Sequence, residues 1–105
     1  MIKFYRTDHK VLSEITEYED NMWVCMTKPT VDETKLIAED FEIDLADVRA
    51  ALDDEESSRV EVEDGYTLIL VDIPSIEMRN EREAYTTIPL GIILVKDILI
   101  TVCAE

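Results

Sequence analysis

From Arg59 onward the chain is written in strand periods. Arg59-Val60-Glu61-Val62-Glu63 alternates strictly between polar and apolar residues. Asp64-Gly65 follows, a two-residue hairpin signal, because both central positions of a type I′ turn need positive φ. Tyr66 to Ile73 is apolar on both faces apart from Thr67 and Asp72, the pattern of a central strand. Pro74 should end it, since proline cannot donate to a ladder. The polar stretch from Ser75 to Glu83 reads as a loop. Tyr85 to Val95 and Ile98 to Val102 are again strand-like, with only Lys96-Asp97 between them, so they should pair as an antiparallel hairpin. Gly91 within the first marks either a bulge or a close backbone approach.

The first half mixes two periods. Ile2 to Arg6 alternates, and Val11 to Thr16 is a weaker strand. Thr7–Lys10 can turn the chain back between them as a hairpin. Met22 to Met26 is rich in strand formers around Trp23 and Val24. The period then changes. Thr30 is a good N-cap, and Glu33 three residues later completes a capping box, with two acids in the first turn to suit the helix dipole. This helix should run to about Phe41 and bury Ile37, Ala38 and Phe41. Asp44 can cap a second helix carrying Leu45, Val48 and Leu52 at helical spacing. The whole reads as α/β (α+β): a mixed, largely antiparallel β-sheet with two consecutive helices packed on one side.

Length and charge restrict what such a fold can do. The 105 residues fit one domain, and no linker or repeat divides them. Twenty-five acids face ten bases, a net charge of −15. Such a surface repels phosphates and anionic lipid, which argues against a nucleic-acid or membrane-surface partner, and it concentrates cations. No apolar run reaches the roughly 18–20 residues of a spanning helix, and no signal peptide is visible. Cys25 and Cys103 lie inside apolar runs and read as buried thiols, with one disulfide between them left open. The chain stops at Glu105, just after an apolar strand, and we expect the natural polypeptide to continue.

Several stretches together resemble the soluble domain of CorA-like magnesium/cobalt transporters. They are Leu52-Asp53, Glu56, Arg59-Val60-Glu61, Asp64, Tyr66 and Leu68 to Ile73 in the middle. Trp23-Val24 with Pro29-Thr30 lies before them. Tyr85-Thr86-Thr87-Ile88-Pro89-Leu90-Gly91-Ile92-Ile93-Leu94, followed by Ile98 to Val102, lies after. The resemblance implies that residues 1–105 are the cytosolic N-terminal domain of a homopentameric membrane protein. The stalk helix, the two membrane helices and the Gly-Met-Asn pore signature of that family are not in this chain. It also implies a role: Mg²⁺ held between neighbouring cytosolic domains closes the ring, and its loss lets acidic faces repel and the pore open. Some family members place an interfacial carboxylate inside the second helix. By spacing that position falls at Ala50, which cannot bind a metal ion.

The acidic run after the second helix is the local candidate for cation binding. Asp53, Asp54 and Glu56 offer clustered hard oxygen ligands at a helix C-terminus, where the dipole favours cations. The competing reading is a solvated acidic turn. Glu61 and Glu63 share a strand face opposite Val60 and Val62, and we read that acidic face as the exposed one. Arg59 can pair with one of the acids. His9 reads as plain surface in a turn. Trp23 reads as a core or interface residue, and Tyr66 and Tyr85 as strand-opening rim residues.

Three functions compete. The first is a regulatory domain of a divalent-cation (Mg²⁺/Co²⁺) transporter, on the cytoplasmic side of the membrane, with regulatory Mg²⁺ and no required cofactor. The second is a free-standing acidic interaction protein that binds a basic partner. The third, an acid/base enzyme, has only abundant carboxylates to support it. No phosphate loop or nucleophile motif is present, so we expect no enzymatic activity. Because the family's pentamer is made mainly by stalk and membrane helices, we expect the chain alone to be monomeric or weakly associating.

Overall fold

The computed structural model of the chain describes residues 1–53 and 56–105, the side chain of Glu77 apart. Seven strands form one sheet in the order β2-β1-β3-β7-β6-β5-β4. The strands are β1 (Ile2–Asp8), β2 (Val11–Ile15), β3 (Met22–Thr27), β4 (Arg59–Val62), β5 (Tyr66–Arg79), β6 (Arg82–Val95) and β7 (Ile98–Cys103). Every neighbouring pair is antiparallel except β3 with β7. That parallel pair is possible because two helices and three strands lie between its members in sequence. The mixed, mostly antiparallel architecture is therefore the expected one.

Helix α1 (Val31–Asp40) begins on the predicted capping box. Thr30 Oγ1 accepts from the Glu33 backbone N–H at 3.1 Å, and Glu33 Oε1 accepts from the Thr30 N–H at 2.8 Å. Helix α2 is only Leu45–Val48, capped by Asp44, whose Oδ1 accepts from the Ala46 N–H at 3.0 Å. The rest of the expected second helix is a 3₁₀ turn, Ala50–Leu52. That turn lies against β6 at Gly91, where an added Cβ would stand 3.1 Å from the Ala51 Cβ. Gly91 therefore marks a close approach, not a bulge.

Both helices cover one face of the sheet. Met22, Val24 and Met26 of β3, Leu68 and Leu70 of β5, Ile93 of β6, and Ile100 and Val102 of β7 are buried there with Ile37, Ala38 and Val48. Thr34 is fully buried between the helices. Its hydroxyl donates to the Val31 carbonyl (2.7 Å) and accepts from Arg49 Nη1 (2.9 Å), so neither polar group is left unpaired. The opposite face is open. By register it carries Trp23, Leu99, Ile92, Leu94, Leu90, Ile69, Val71, Val60 and Val62, and among the described residues no helix packs on it.

The stretch Ser75–Glu83 is not a loop. Strands β5 and β6 pair without a break from Tyr66 opposite Val95 to Arg79 opposite Arg82, and the turn is Asn80-Glu81, with φ of 50° and 63°. Both central residues take positive φ, which suits a type I′ hairpin. Pro74 does not end its strand either. It sits opposite Thr87, beyond the Thr67–Leu70 stretch of β5 that β4 covers, on an open edge where a missing N–H is tolerated. Conversely, Asp64-Gly65 turns the chain with positive φ at Gly65 alone (91°), so it is not a type I′ turn.

Cys25 and Cys103 are free. Cys25 lies opposite Thr101 and Thr27 opposite Cys103, so the cysteines occupy adjacent strands two positions out of register. That offset places their Cα atoms about 8 Å apart, beyond disulfide reach. Among the described residues no helix is long and apolar enough to cross a membrane.

Candidate functional site

The sheet register decides where the acids of β4 point. Arg59 lies opposite Leu70 and Glu61 opposite Leu68, both core residues of the helix-covered face. The acidic face of β4 therefore looks toward the helices, and Val60 and Val62 are the exposed ones, 64% and 81% accessible. This reverses the sequence expectation for Glu61 and Glu63. Alternation identifies two faces, but only the position of the helices says which is covered.

Facing β4 is the first turn of α2. Carboxylate oxygens of Asp47, Glu61 and Glu63 lie within 4.8 Å of one another. Asp47 and Glu61 are half-buried and Glu63 is exposed. Asp47 is held by Tyr66, whose hydroxyl donates to Asp47 Oδ2 at 2.5 Å and accepts from the Asp44 backbone N–H at 3.3 Å. Burial and the Asp47 hydrogen bond push the Tyr66 phenol up to about 12. Arg59 Nε donates to Glu61 Oε1 and Arg59 Nη1 to Glu56 Oε2, both at 2.6 Å. These carboxylates raise the guanidinium's pKa above its ordinary value.

Of the residues nominated from sequence, Glu56 is tied to this cluster through Arg59. Glu56 is engaged by Arg59, which also holds Glu61, so the acidic run and the cluster share one counter-ion. Asp53 is exposed; its N–H donates to the Ala50 carbonyl at 3.3 Å, and its carbonyl accepts from the Glu56 N–H at 3.2 Å. Asp54 lies outside the described residues. Asp47 is the residue sequence reasoning missed. Its spacing three residues after the Asp44 cap signals a helix start and nothing about β4. Ala50 is 6% exposed, so a carboxylate there would face the core.

Hard oxygen donors of this kind suit Mg²⁺, which keeps several waters and takes one or two carboxylates directly at about 2.1 Å. Carboxylate oxygens within 4.8 Å of one another admit a hydrated ion bridging the three groups.

The sequence model of the CorA-like Mg²⁺ transporter proteins matches residues 18–105. The chain belongs to this family. No curated protein sequence matches it significantly. In structure, the CorA-like chain is similar to the soluble domain of CorA from Methanocaldococcus jannaschii, with a TM-score of 0.79 and 23% identity over 100% of this chain and 41% of that one. It is similar also to the complete CorA magnesium transporter of the same organism, with a TM-score of 0.75 and 18% identity over 100% of this chain and 32% of that one. The ZntB cytoplasmic domain from Vibrio parahaemolyticus matches with a TM-score of 0.69 and 16% identity over 97% of this chain and 43% of that one. At these identities the likeness is one of fold. The CorA-like chain spans about a third to two-fifths of the length of the structures it matches.

Proposed function

We propose that the chain is the cytoplasmic regulatory part of a homopentameric divalent-cation transporter and senses Mg²⁺ or Co²⁺ through carboxylates at the α2–β4 junction. Family membership supports the transporter context. The observation that carries the sensing role is the convergence of Asp47, Glu61 and Glu63 within 4.8 Å, with Arg59 as their internal counter-ion. Without a divalent ion, three neighbouring carboxylates repel and Arg59 compensates one of them. With an ion bound, the repulsion is relieved and β4 is drawn to α2. The equilibrium shifts only by the ion's preference for the closed arrangement. Glu56 contributes to the same site by release from Arg59, and the acidic run Asp53, Asp54 and Glu56 is proposed to add cation affinity.

The test is thermal unfolding of the chain with and without about 10 mM MgCl₂ at constant ionic strength, a concentration at which even a weak site shows a linked shift. The wild-type chain should melt higher with Mg²⁺. The triple variant Asp47→Asn/Glu61→Gln/Glu63→Gln should lose that shift, and Asp53→Asn/Asp54→Asn/Glu56→Gln should reduce it. An equal shift in all three proteins would show non-specific screening and sink the site.

A further inference from the structure

Two thiols stand at the parallel seam of the sheet, on the face away from the helices. Val24 and Met26 of β3 and Ile100 and Val102 of β7 are buried under the helices, so Cys25 and Cys103 point the other way. Both thiols are free and half-buried. Cys25 lies opposite Thr101, and Cys103 lies opposite Thr27. The two cysteines are therefore diagonal neighbours on adjacent strands, with Cα atoms about 8 Å apart. Their other in-register neighbours are Lys3 of β1, opposite Cys25, and Leu90 of β6, opposite Cys103.

We propose that Cys25 and Cys103 form a two-thiolate site for a soft monovalent cation, Cu(I), separate from the carboxylates at the α2–β4 junction. The spacing carries the inference. A disulfide holds its sulfurs about 2 Å apart and wants Cα atoms about 5.5–6 Å apart. A metal ion between two thiolates, with bonds of about 2.3 Å, holds the sulfurs about 4.6 Å apart. The span grows by about 2.5 Å, which suits Cα atoms about 8 Å apart. The offset that forbids a disulfide is thus the one that fits a sulfur–metal–sulfur bridge. Ligand chemistry then selects the ion. Thiolates favour soft cations and leave Mg²⁺ to oxygen ligands. Zn²⁺ takes four ligands, and Lys3, Thr27, Leu90 and Thr101 add no further sulfur, imidazole or carboxylate. Cu(I) is satisfied by two thiolates in line. Binding releases two thiol protons and forms two S–Cu bonds. Copper enters and stays as Cu(I), so nothing is oxidised or reduced. Two thiolates and one Cu(I) leave a single negative charge, which the Lys3 ammonium offsets from the neighbouring strand. Thr27 Oγ1, 3.9 Å from Cys25 Sγ, is placed to donate to that sulfur.

The experiment is anaerobic titration of the reduced 105-residue chain with Cu(I), read against a chromogenic Cu(I) chelator and by X-ray absorption at the copper edge. The expected result is one Cu(I) per chain with two sulfur neighbours and no change in sedimentation. Thermal unfolding should move up with one equivalent, because the bridge ties β3 to β7. Cys25→Ser and Cys103→Ser should each weaken binding by about 100-fold or more, since either loss removes the chelate. Circular dichroism establishes that each variant is folded, and Cys25→Ala or Cys103→Ala serves where a serine variant does not fold. Excess Mg²⁺ should leave the copper in place. Asp47→Asn/Glu61→Gln/Glu63→Gln should bind Cu(I) as the wild-type chain does, so the carboxylate site and the thiol site succeed or fail separately. Three outcomes overturn the proposal. One is a chain that takes no Cu(I) from the chelator. The second is a single-cysteine variant that holds Cu(I) as tightly as the wild type. The third is Cu(I) that joins two chains, with one sulfur from each.

Discussion

The Tyr66 hydroxyl donates to Asp47 Oδ2 across 2.5 Å and so ties the start of β5 to the first turn of α2. The same oxygen accepts from the Asp44 N–H, the N-cap residue of that helix. A helix of four residues has little stability of its own and depends on such ties. Tyr66→Phe keeps the ring and removes the link. We expect a loss of about 1 kcal/mol, measured by urea unfolding, because a charge-assisted hydrogen bond is replaced by water contacts to Asp47.

Alkaline unfolding should report the same tie. Tyr66 is pushed up to about 12 by burial and Asp47, and Tyr18 likewise by burial and its 2.5 Å hydrogen bond to Asp40. An unfolded tyrosine ionises near pH 10, so the folded chain holds its phenolic protons longer. The stabilisation from each phenol is complete below about pH 10 and is lost as pH rises toward about 12. Stability measured across that window should fall less steeply in Tyr66→Phe than in the wild-type chain, and ultraviolet titration should show one late-ionising phenol fewer. An unchanged slope would place the late titration elsewhere.

Gly91 should be intolerant of even one methyl group. An added Cβ would meet the Ala51 Cβ at 3.1 Å, and Ala51 sits on the backbone of a 3₁₀ turn that cannot retreat without lifting off β6. Gly91→Ala should cost about 1–3 kcal/mol as overpacking. Ala51→Gly in the same chain should recover part of that loss, and a double-mutant cycle by chemical denaturation measures the coupling.

Arg59 stands between Glu56 and Glu61 with both carboxylates at 2.6 Å. Arg59→Gln leaves those acids, Glu63 and Asp47 together without a counter-ion. The melting temperature should drop, and the drop should shrink as salt is raised, because the uncovered repulsion is screened. A drop of equal size at every salt concentration would assign Arg59 a packing role through its aliphatic stem.

The local signals were legible for a physical reason: they are satisfied within a few residues. The Thr30–Glu33 capping box, the Asp44 cap and the β1–β2 and β6–β7 turns all involve groups close along the chain. The Ser75–Glu83 stretch failed that test because its polarity reports exposure, not the absence of a ladder. A hairpin arm with both faces in water alternates no hydrophobic stripe, yet Ile76 opposite Tyr85 and Met78 opposite Glu83 keep it in register. The candidate site was half-legible. The acids of residues 53–63 stood out, but their convergence with Asp47 depends on a contact between α2 and β4.

By itself the sequence determined the strand and helix inventory, the mixed sheet with helices on one side, and the family. Those follow from periodicity, caps and turns, which are properties of neighbouring residues. Only the tertiary structure decided which face of β4 is covered. It also decided that β3 and β7 run parallel at the centre, that Gly91 exists to admit Ala51, and that among the described residues no helix packs on the second face of the sheet. The physical reason is that an alternating strand has two equivalent sides until something packs on one of them. That choice is made by the helices across the sheet, not by the strand.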